Sequence, residues 1–496
     1  MIRFYNRIKT VLIISIAFAI GGCHLSDFDK AVLIERLPLI EPDYSGVIIP
    51  CNIAPMNFKI LEDGESFIVN ISCPDGKREM FRSENGQVRF PSRKWKGILN
   101  SSRGGTIRIE VLSKDRKGII RKYQPFLMYV ARSPIDSYLC YRMLYPGYES
   151  WSEMQIITRS MESFREKTLV DNQLLDKNCI NCHTFNHNDP DRFLLHVRGS
   201  RGGTYFYDGE KITRTALRTD NMKANAVYPA WHPGGKFVVF SSNKTVQTFH
   251  MKAGKNIEVF DLYSSLVFYD TEGNRISGCG DKDTVTYMET FPCWSPDGEY
   301  LYYCRTPQVK MDSNLTTVKY DLVRRPFNVS SGAFGSAEVV FNAHAIDKSV
   351  SFPSISPDGK YLVLTLHDYG TFSIWHREAD LYIMDLSAMK IDKMTVNSEE
   401  SDSYHSWSSD GKWLVFSSKR SDGLTARPYF AYFASADSVG KPFVLPQKDP
   451  TFYRRLEKTF NRPELVSGKI EAGPGDFMKA SKRNPLKAAW TGKKNE

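Results

Sequence analysis

A chain of 496 residues is longer than one ordinary domain. Its 41% hydrophobic and 25% charged residues, with 30 Phe, 25 Tyr and 8 Trp, exclude a disordered chain. The net charge of +10 sits mainly at the two ends, at Arg3, Arg7 and Lys9 and in a surplus of four over 469–496, so the body lacks a nucleic-acid-binding charge. The basic tail reads as a solvated end. The aromatic load with 33 Gly and 25 Pro favours β-structure with many turns.

The N-terminus has a basic segment, then the apolar run Val11 to Ile20, then Gly21-Gly22-Cys23. Ten helical residues rise about 15 Å, half the hydrocarbon thickness, so this run is too short for a membrane span. It reads as a signal peptide, residues 1–22. Small residues before a cysteine resemble the lipobox of bacterial lipoproteins. That resemblance implies lipidation at Cys23, a membrane partner through the lipid anchor and residence at the bacterial cell envelope, with the outer membrane as the expected site. The acidic run after Cys23 faintly resembles the surface-export signal of Bacteroidetes lipoproteins. Residues 23–39 then form a lipidated linker.

Over residues 40–147, short alternating runs such as Ser66 to Cys73 and Thr106 to Ser113 are separated by Asp-Gly, Asn-Gly and Gly-Gly turns. This pattern predicts a β-sandwich-like domain. Residues 149–172 contain neither Pro nor Gly, which predicts a helix within a connector over 148–189. Export makes disulfides possible, with Cys51–Cys73 and Cys293–Cys304 as the candidate pairs.

Within that connector Cys179, Cys182 and His183 spell C-x-x-C-H. Two thiols at this spacing can add to the two vinyl groups of a haem, and the next imidazole can ligate its iron. The motif resembles that of c-type cytochromes. The resemblance implies one covalent haem c, with Cys179 and Cys182 as thioether residues and His183 as proximal iron ligand. A disulfide or redox pair and a zinc half-site are the alternatives, although no second C-x-x-C accompanies the motif. For the sixth iron position His196 is the first choice, since residues 184–195 can carry it round the porphyrin edge. Met222 and His187 are the other candidates, and Arg198 and Arg201 are candidate partners for the propionates.

From residue 190 to 446 the chain repeats. YPAWHPGGKFVVFSS starts at Tyr228, FPCWSPDGEYLYYCR at Phe291, FPSISPDGKYLVLTL at Phe352 and YHSWSSDGKWLVFSS at Tyr404, which are 63, 61 and 52 residues apart. Each has an aromatic start, a turn ending in Gly and an alternating strand, as expected for blades stacked around an axis. The segments resemble the WD-like PD40 repeats of TolB-type β-propellers. Residues 193–217 read as a degenerate earlier blade, giving five visible blades and room for a sixth. Trp231, Trp294, Ile355 and Trp407 are expected between neighbouring blades. His232, His367, His376 and His405 are candidates to converge at a propeller mouth.

The fold expected is therefore mainly β: an N-terminal β-sandwich-like domain, a helical connector with the haem motif, and a C-terminal five- or six-bladed β-propeller, followed by an extension over 447–496. No hydrolase, transferase, nucleotide-binding or zinc-protease signature is present in the sequence. The function expected is electron transfer or redox sensing by an exported, lipid-anchored haem protein, with a redox or envelope protein as partner. The alternative is a non-enzymatic propeller that binds a protein or glycan, in which C-x-x-C-H is a structural disulfide.

Overall fold

The repeated turns close as their residues require. In the computed structural model, which describes residues 31–146, 153–252, 255–279, 286–309 and 314–492, Gly235, Gly298, Gly359 and Gly411 occupy equivalent hairpin positions with φ between 68° and 76°. This left-handed region costs glycine nothing and other residues a strain. In three of the turns an aspartate locks the geometry. Asp297, Asp358 and Asp410 each accept from the serine hydroxyl two residues before and from the backbone N–H two residues after.

These hairpins belong to a β-propeller of six blades among the described residues. The innermost strands are Thr459–Val466, Cys179–Phe185, Ala226–Trp231, Tyr287–Trp294, Ser349–Ile355 and Asp402–Trp407, in blades 1 to 6. Each packs on the next, and the last packs on the first. Blade 1 combines the two ends of the propeller. Its outer strands Tyr138–Leu144, Met154–Ser160 and Glu166–Asp171 come before the C-x-x-C-H motif, while its innermost strand comes after blade 6.

Six apolar cores hold the ring, one at each blade interface. Trp231, Trp294 and Trp407 fill three of them as the repeat predicts. Trp294 and Trp407 also donate their Nε1–H groups to the preceding blade, at Ala230 O (3.3 Å) and Ser354 O (3.2 Å). Ile355 packs in the same way against the core between blades 4 and 5.

In every innermost strand two residues oppose one on the neighbouring strand, a β-bulge. The bulged pairs are Arg462-Pro463, Cys182-His183, Tyr228-Pro229, Phe291-Pro292, Phe352-Pro353 and Tyr404-His405. Arg462, Tyr228, Phe291, Phe352 and Tyr404 all have φ of 46–52°. The bulge turns these side chains to the propeller axis, where the rings of Tyr228, Phe291, Phe352 and Tyr404 form a chain of contacts with centroids 4.8, 4.0 and 4.8 Å apart.

The N-terminal region forms a seven-stranded and a three-stranded sheet with a helix, Ser92–Ser102. Alternation along Ser66–Ser72 buries Phe67, Val69 and Ile71. Their core is continuous with the interface between blades 6 and 1, through Tyr141, Trp413, Phe430 and Phe460.

Three expectations are corrected. Residues 154–171 are a strand hairpin, not a helix, because β-branched Ile156, Ile157 and Thr158 alternate against Thr168 and Val170 across a turn that needs no Gly or Pro. The propeller therefore begins near Tyr138 rather than at 190. The tail is structural: after Thr459–Val466 and the helix Pro474–Lys482, Leu486–Lys487 and Ala489–Trp490 pair in parallel with the edges of blades 2 and 3.

Phe460, 1% exposed and 4.7 Å from the Tyr141 ring, ties the closing strand to blade 1. Phe460→Ala is expected to destabilise the fold by about 3–5 kcal/mol. A change below about 1 kcal/mol in urea unfolding would show that this strand does not carry the closure.

Candidate functional site

The aromatic chain on the axis forms the floor of a funnel of about 320 Å³ that opens where the innermost strands end. Bulge prolines 229, 292, 353 and 463 and the tryptophans of the repeats line its wall. Polar groups are interspersed with these, from blades 1 and 2 and also at Ser295, Ser354, His405 and Ser406. Arg462 takes the place that an aromatic holds in four other blades, and its guanidinium lies 5.9 Å from the centre of the Phe352 ring. Its Nη1 is buried without a hydrogen-bond partner. Beside it, Glu464 accepts from the Phe185 N–H (2.9 Å) and the Thr184 hydroxyl (3.4 Å), and burial pushes its carboxyl up to about 7.

The C-x-x-C-H motif lies on the innermost strand of blade 2. Cys179 opens this strand, opposite Arg198, and packs with Leu144 and Met154. His183 is 2% exposed and faces blade 1, where its ring meets the backbone of Arg462 and of Cys140. Burial, with the nearby Arg462 and Arg142, lowers its pKa to about 3. Its Nε2 is buried and has no hydrogen-bond partner. The Cys182 side chain lies outside the described residues, as does Cys23.

The candidates for the sixth position are not brought to His183. Phe193, Leu195 and Val197 face the core shared with blade 1, so alternation sends His196 to the opposite face, toward blade 3. There its Nδ1 is 3.3 Å from Thr204 Oγ1, and its Nε2 is buried and unpartnered. Met222 packs with Leu194, Val238 and Phe240 in the core between blades 2 and 3. His187, with φ of 52°, lies past the strand end on the funnel wall. Arg201 pairs with Asp176 at 2.6 Å. Cys51, Cys73, Cys293 and Cys304 are unbridged thiols.

His405 shows what a bulge histidine can do in this fold. It occupies the position of His183, and its Nε2 is 2.9 Å from Val363 O of the preceding blade, with the Phe352 backbone also close. Val363 and Phe352 correspond by register to Cys140 and Arg462. The three other histidines named from the repeats do not join it at one mouth. His232 is in a turn at the funnel end, 3.3 Å from Gly298 O. The His367 and His376 rings meet at 4.8 Å on the other side of the aromatic floor, His367 at the end of the blade 5 strand Tyr361–His367 and His376 in the loop after it.

That opposite side is polar. Asp261, on the long hairpin of blade 3, accepts from Asn243 Nδ2 (3.0 Å) and Thr371 Oγ1 (3.3 Å). His367 Nε2 is 2.8 Å from Ser351 Oγ. Among the described residues no three His, Cys, Asp or Glu side chains form a metal-ion site. A haem needs no such group, since its porphyrin supplies four of the iron's donors. The residues present match a haem's needs only in part. The thiols stand at the attachment spacing, and His183 has a ring nitrogen without a partner, as do His196, His367 and His405. Cys179 and His183 are buried, however, and neither lines the funnel.

Sequence reasoning missed Arg462 and Glu464. Their segment, Phe460-Asn461-Arg462-Pro463, keeps only the proline of the repeat. That proline after a residue in the aromatic position was the available signal.

No protein-family model and no curated protein matches the chain. Solved structures similar to it include a nidogen/laminin complex, at 8% identity and a TM-score of 0.40, covering 67% of this chain and 100% of that one. An oligogalacturonate lyase from Vibrio parahaemolyticus aligns at 11% identity and a TM-score of 0.33, covering 61% and 92%. A gluconolactonase from Xanthomonas campestris aligns at 12% identity and a TM-score of 0.36, covering 57% and 84%. The propeller assignment rests on the strand topology itself.

Burial raises the Asp261 carboxyl from its ordinary value to about 6. The folded state therefore holds this proton to higher pH than the unfolded state, and stability falls as pH rises from about 4 to 6 and then levels. Asp261→Asn should remove a pH-dependent loss on the order of 2–3 kcal/mol over that window. Urea unfolding at pH 4, 5, 6 and 7 tests this, and an unchanged slope in the variant would refute the assignment.

Proposed function

We propose that the protein is an exported, lipid-anchored, TolB-like propeller that carries one covalent c-type haem on the innermost strand of blade 2 and acts in electron transfer or redox sensing at the cell envelope. One observation carries this reading. C-x-x-C-H falls on a strand of the propeller axis, and its histidine is buried with an unpartnered Nε2. Cys179 and Cys182 would hold the vinyl-derived carbons and His183 the iron. The haem, when bound, supplies a one-electron couple. The chain's own part is to orient the His183 ring against the backbone of Arg462 and Cys140 and to keep it neutral by burial.

A second reading is favoured by His405, which sits in the same bulge position and faces the preceding blade in the same way. In that reading His183 is a clip between blades, Cys179 and Cys182 form a disulfide, and the propeller is a non-enzymatic binding protein.

Expression with c-type maturation machinery separates the two. The haem reading predicts a c-type pyridine haemochrome band and a mass increase of one haem, both abolished by Cys179→Ala with Cys182→Ala. His183→Ala should change the iron spectrum while His405→Ala leaves it unaltered. A colourless protein with a Cys179–Cys182 disulfide would establish the second reading. Separately, Cys23→Ala should move the protein from the membrane fraction to the soluble fraction and abolish fatty-acid labelling. Membrane retention with labelling intact would overturn the lipid anchor.

A further inference from the structure

We infer that the funnel is a binding site for a small carboxylate with a flat apolar body, and that Arg462 is its specificity-determining residue. The inference rests on the funnel geometry and not on the haem reading.

A ring position that four blades fill with Tyr or Phe is filled in blade 1 by arginine. The substitution carries an energetic cost, because Nη1 is removed from water and no protein acceptor replaces it. Glu464 is not that acceptor. It lines the same funnel, where burial raises its pKa and the Arg462 charge opposes that rise. Its Oε1, however, is engaged by Phe185 and Thr184, and it makes no hydrogen bond or ion pair with Arg462 among the described residues. The unmet requirement of the guanidinium is an oxygen anion, and a carboxylate matches its planar fork.

The surroundings define the rest of the ligand. The floor is made of the faces and edges of Tyr228, Phe291, Phe352 and Tyr404, and the wall of prolines and indoles. The aromatic floor offers a stacking surface to a planar body, and the polar groups of Asn186, Ser295 and Ser406 on the wall can meet polar substituents on it. The volume of about 320 Å³ suits a small molecule. Two sources can supply the carboxylate: a diffusible ligand, or a propionate of the haem proposed above.

Calorimetric titration of the full-length protein with benzoate, benzamide and inorganic phosphate tests the site. Benzoate should bind at least about tenfold more tightly than the neutral amide, the least expected from a charge-assisted hydrogen bond. Arg462→Gln should erase that difference, and phosphate should not compete. Equal binding of benzoate and benzamide, discrimination surviving in Arg462→Gln, or competition by phosphate would each overturn the assignment. Repeating the titration in the Cys179→Ala, Cys182→Ala variant distinguishes the sources. Benzoate binding in both forms indicates a diffusible ligand, and binding only in the haem-free form indicates a propionate. A protein colourless from the outset tests the funnel by the first titration alone. Thermal melting gives a readout independent of ligand: Arg462→Met should leave the melting temperature unchanged or raise it, since an apolar chain has no unmet hydrogen bond. A clear drop would mark a structural arginine and overturn the inference.

Discussion

The backbone pairing of Thr459–Val466 with Tyr138–Leu144 is the constraint on which this molecule depends. Without it blade 1 lacks its innermost strand, and two of the six interfaces lose their shared wall. A ring gains from closure what an open stack cannot, because every inner strand then packs on both sides. The price is a contact spanning more than 300 residues, so the closing pair forms only when the intervening chain is in place. The N-terminal sheets reinforce that seam, since their core merges with the interface between blades 6 and 1. The tail adds two parallel strands that cover the edges of blades 2 and 3.

The bulges give the closed ring its chemical identity. A regular strand would alternate its side chains between the two blade faces, whereas a residue at φ near +50° turns one of them to the axis. Five copies of this device bring five positions to one place among the described residues. Four are aromatic and close the channel, and one is an arginine, while the bulge of blade 2 falls within the C-x-x-C-H motif. Blades 1 and 2 therefore hold the bulges that depart from the repeat, and blades 3 to 6 supply the aromatic floor beside them. Putting the exceptional residues in adjacent blades also places the His183 ring against the backbone of Arg462.

The legibility of this arrangement in the sequence was uneven, for physical reasons. Blades 3 to 6 were readable because an Asp-Gly or Gly-Gly turn and an aromatic-Pro bulge are dictated by backbone geometry that few residues satisfy. Blade 1 was hidden because its parts are separated by most of the chain and its inner strand has Arg462 where the repeat has an aromatic. Residues 154–171 were misread as helix because the absence of Gly and Pro says only that nothing breaks a regular element. The β-branched run Ile156, Ile157, Thr158 was the better guide. The C-x-x-C-H motif was plain in the sequence, but its place on a bulged strand was not. That place decides which candidates can approach His183: one position of alternation sends His196 to the wrong face.

The haem proposal can be tested at the atom that carries it. An iron-edge anomalous difference map, from crystals of protein matured in a host with c-type haem machinery, asks where iron lies relative to the propeller. The account predicts one iron peak per chain at bonding distance from His183 Nε2, with continuous density from the Cys179 and Cys182 sulfurs to a porphyrin. An iron-free map in which His183 contacts only the Arg462 and Cys140 backbone, as His405 does at the Phe352 and Val363 backbone, would contradict it.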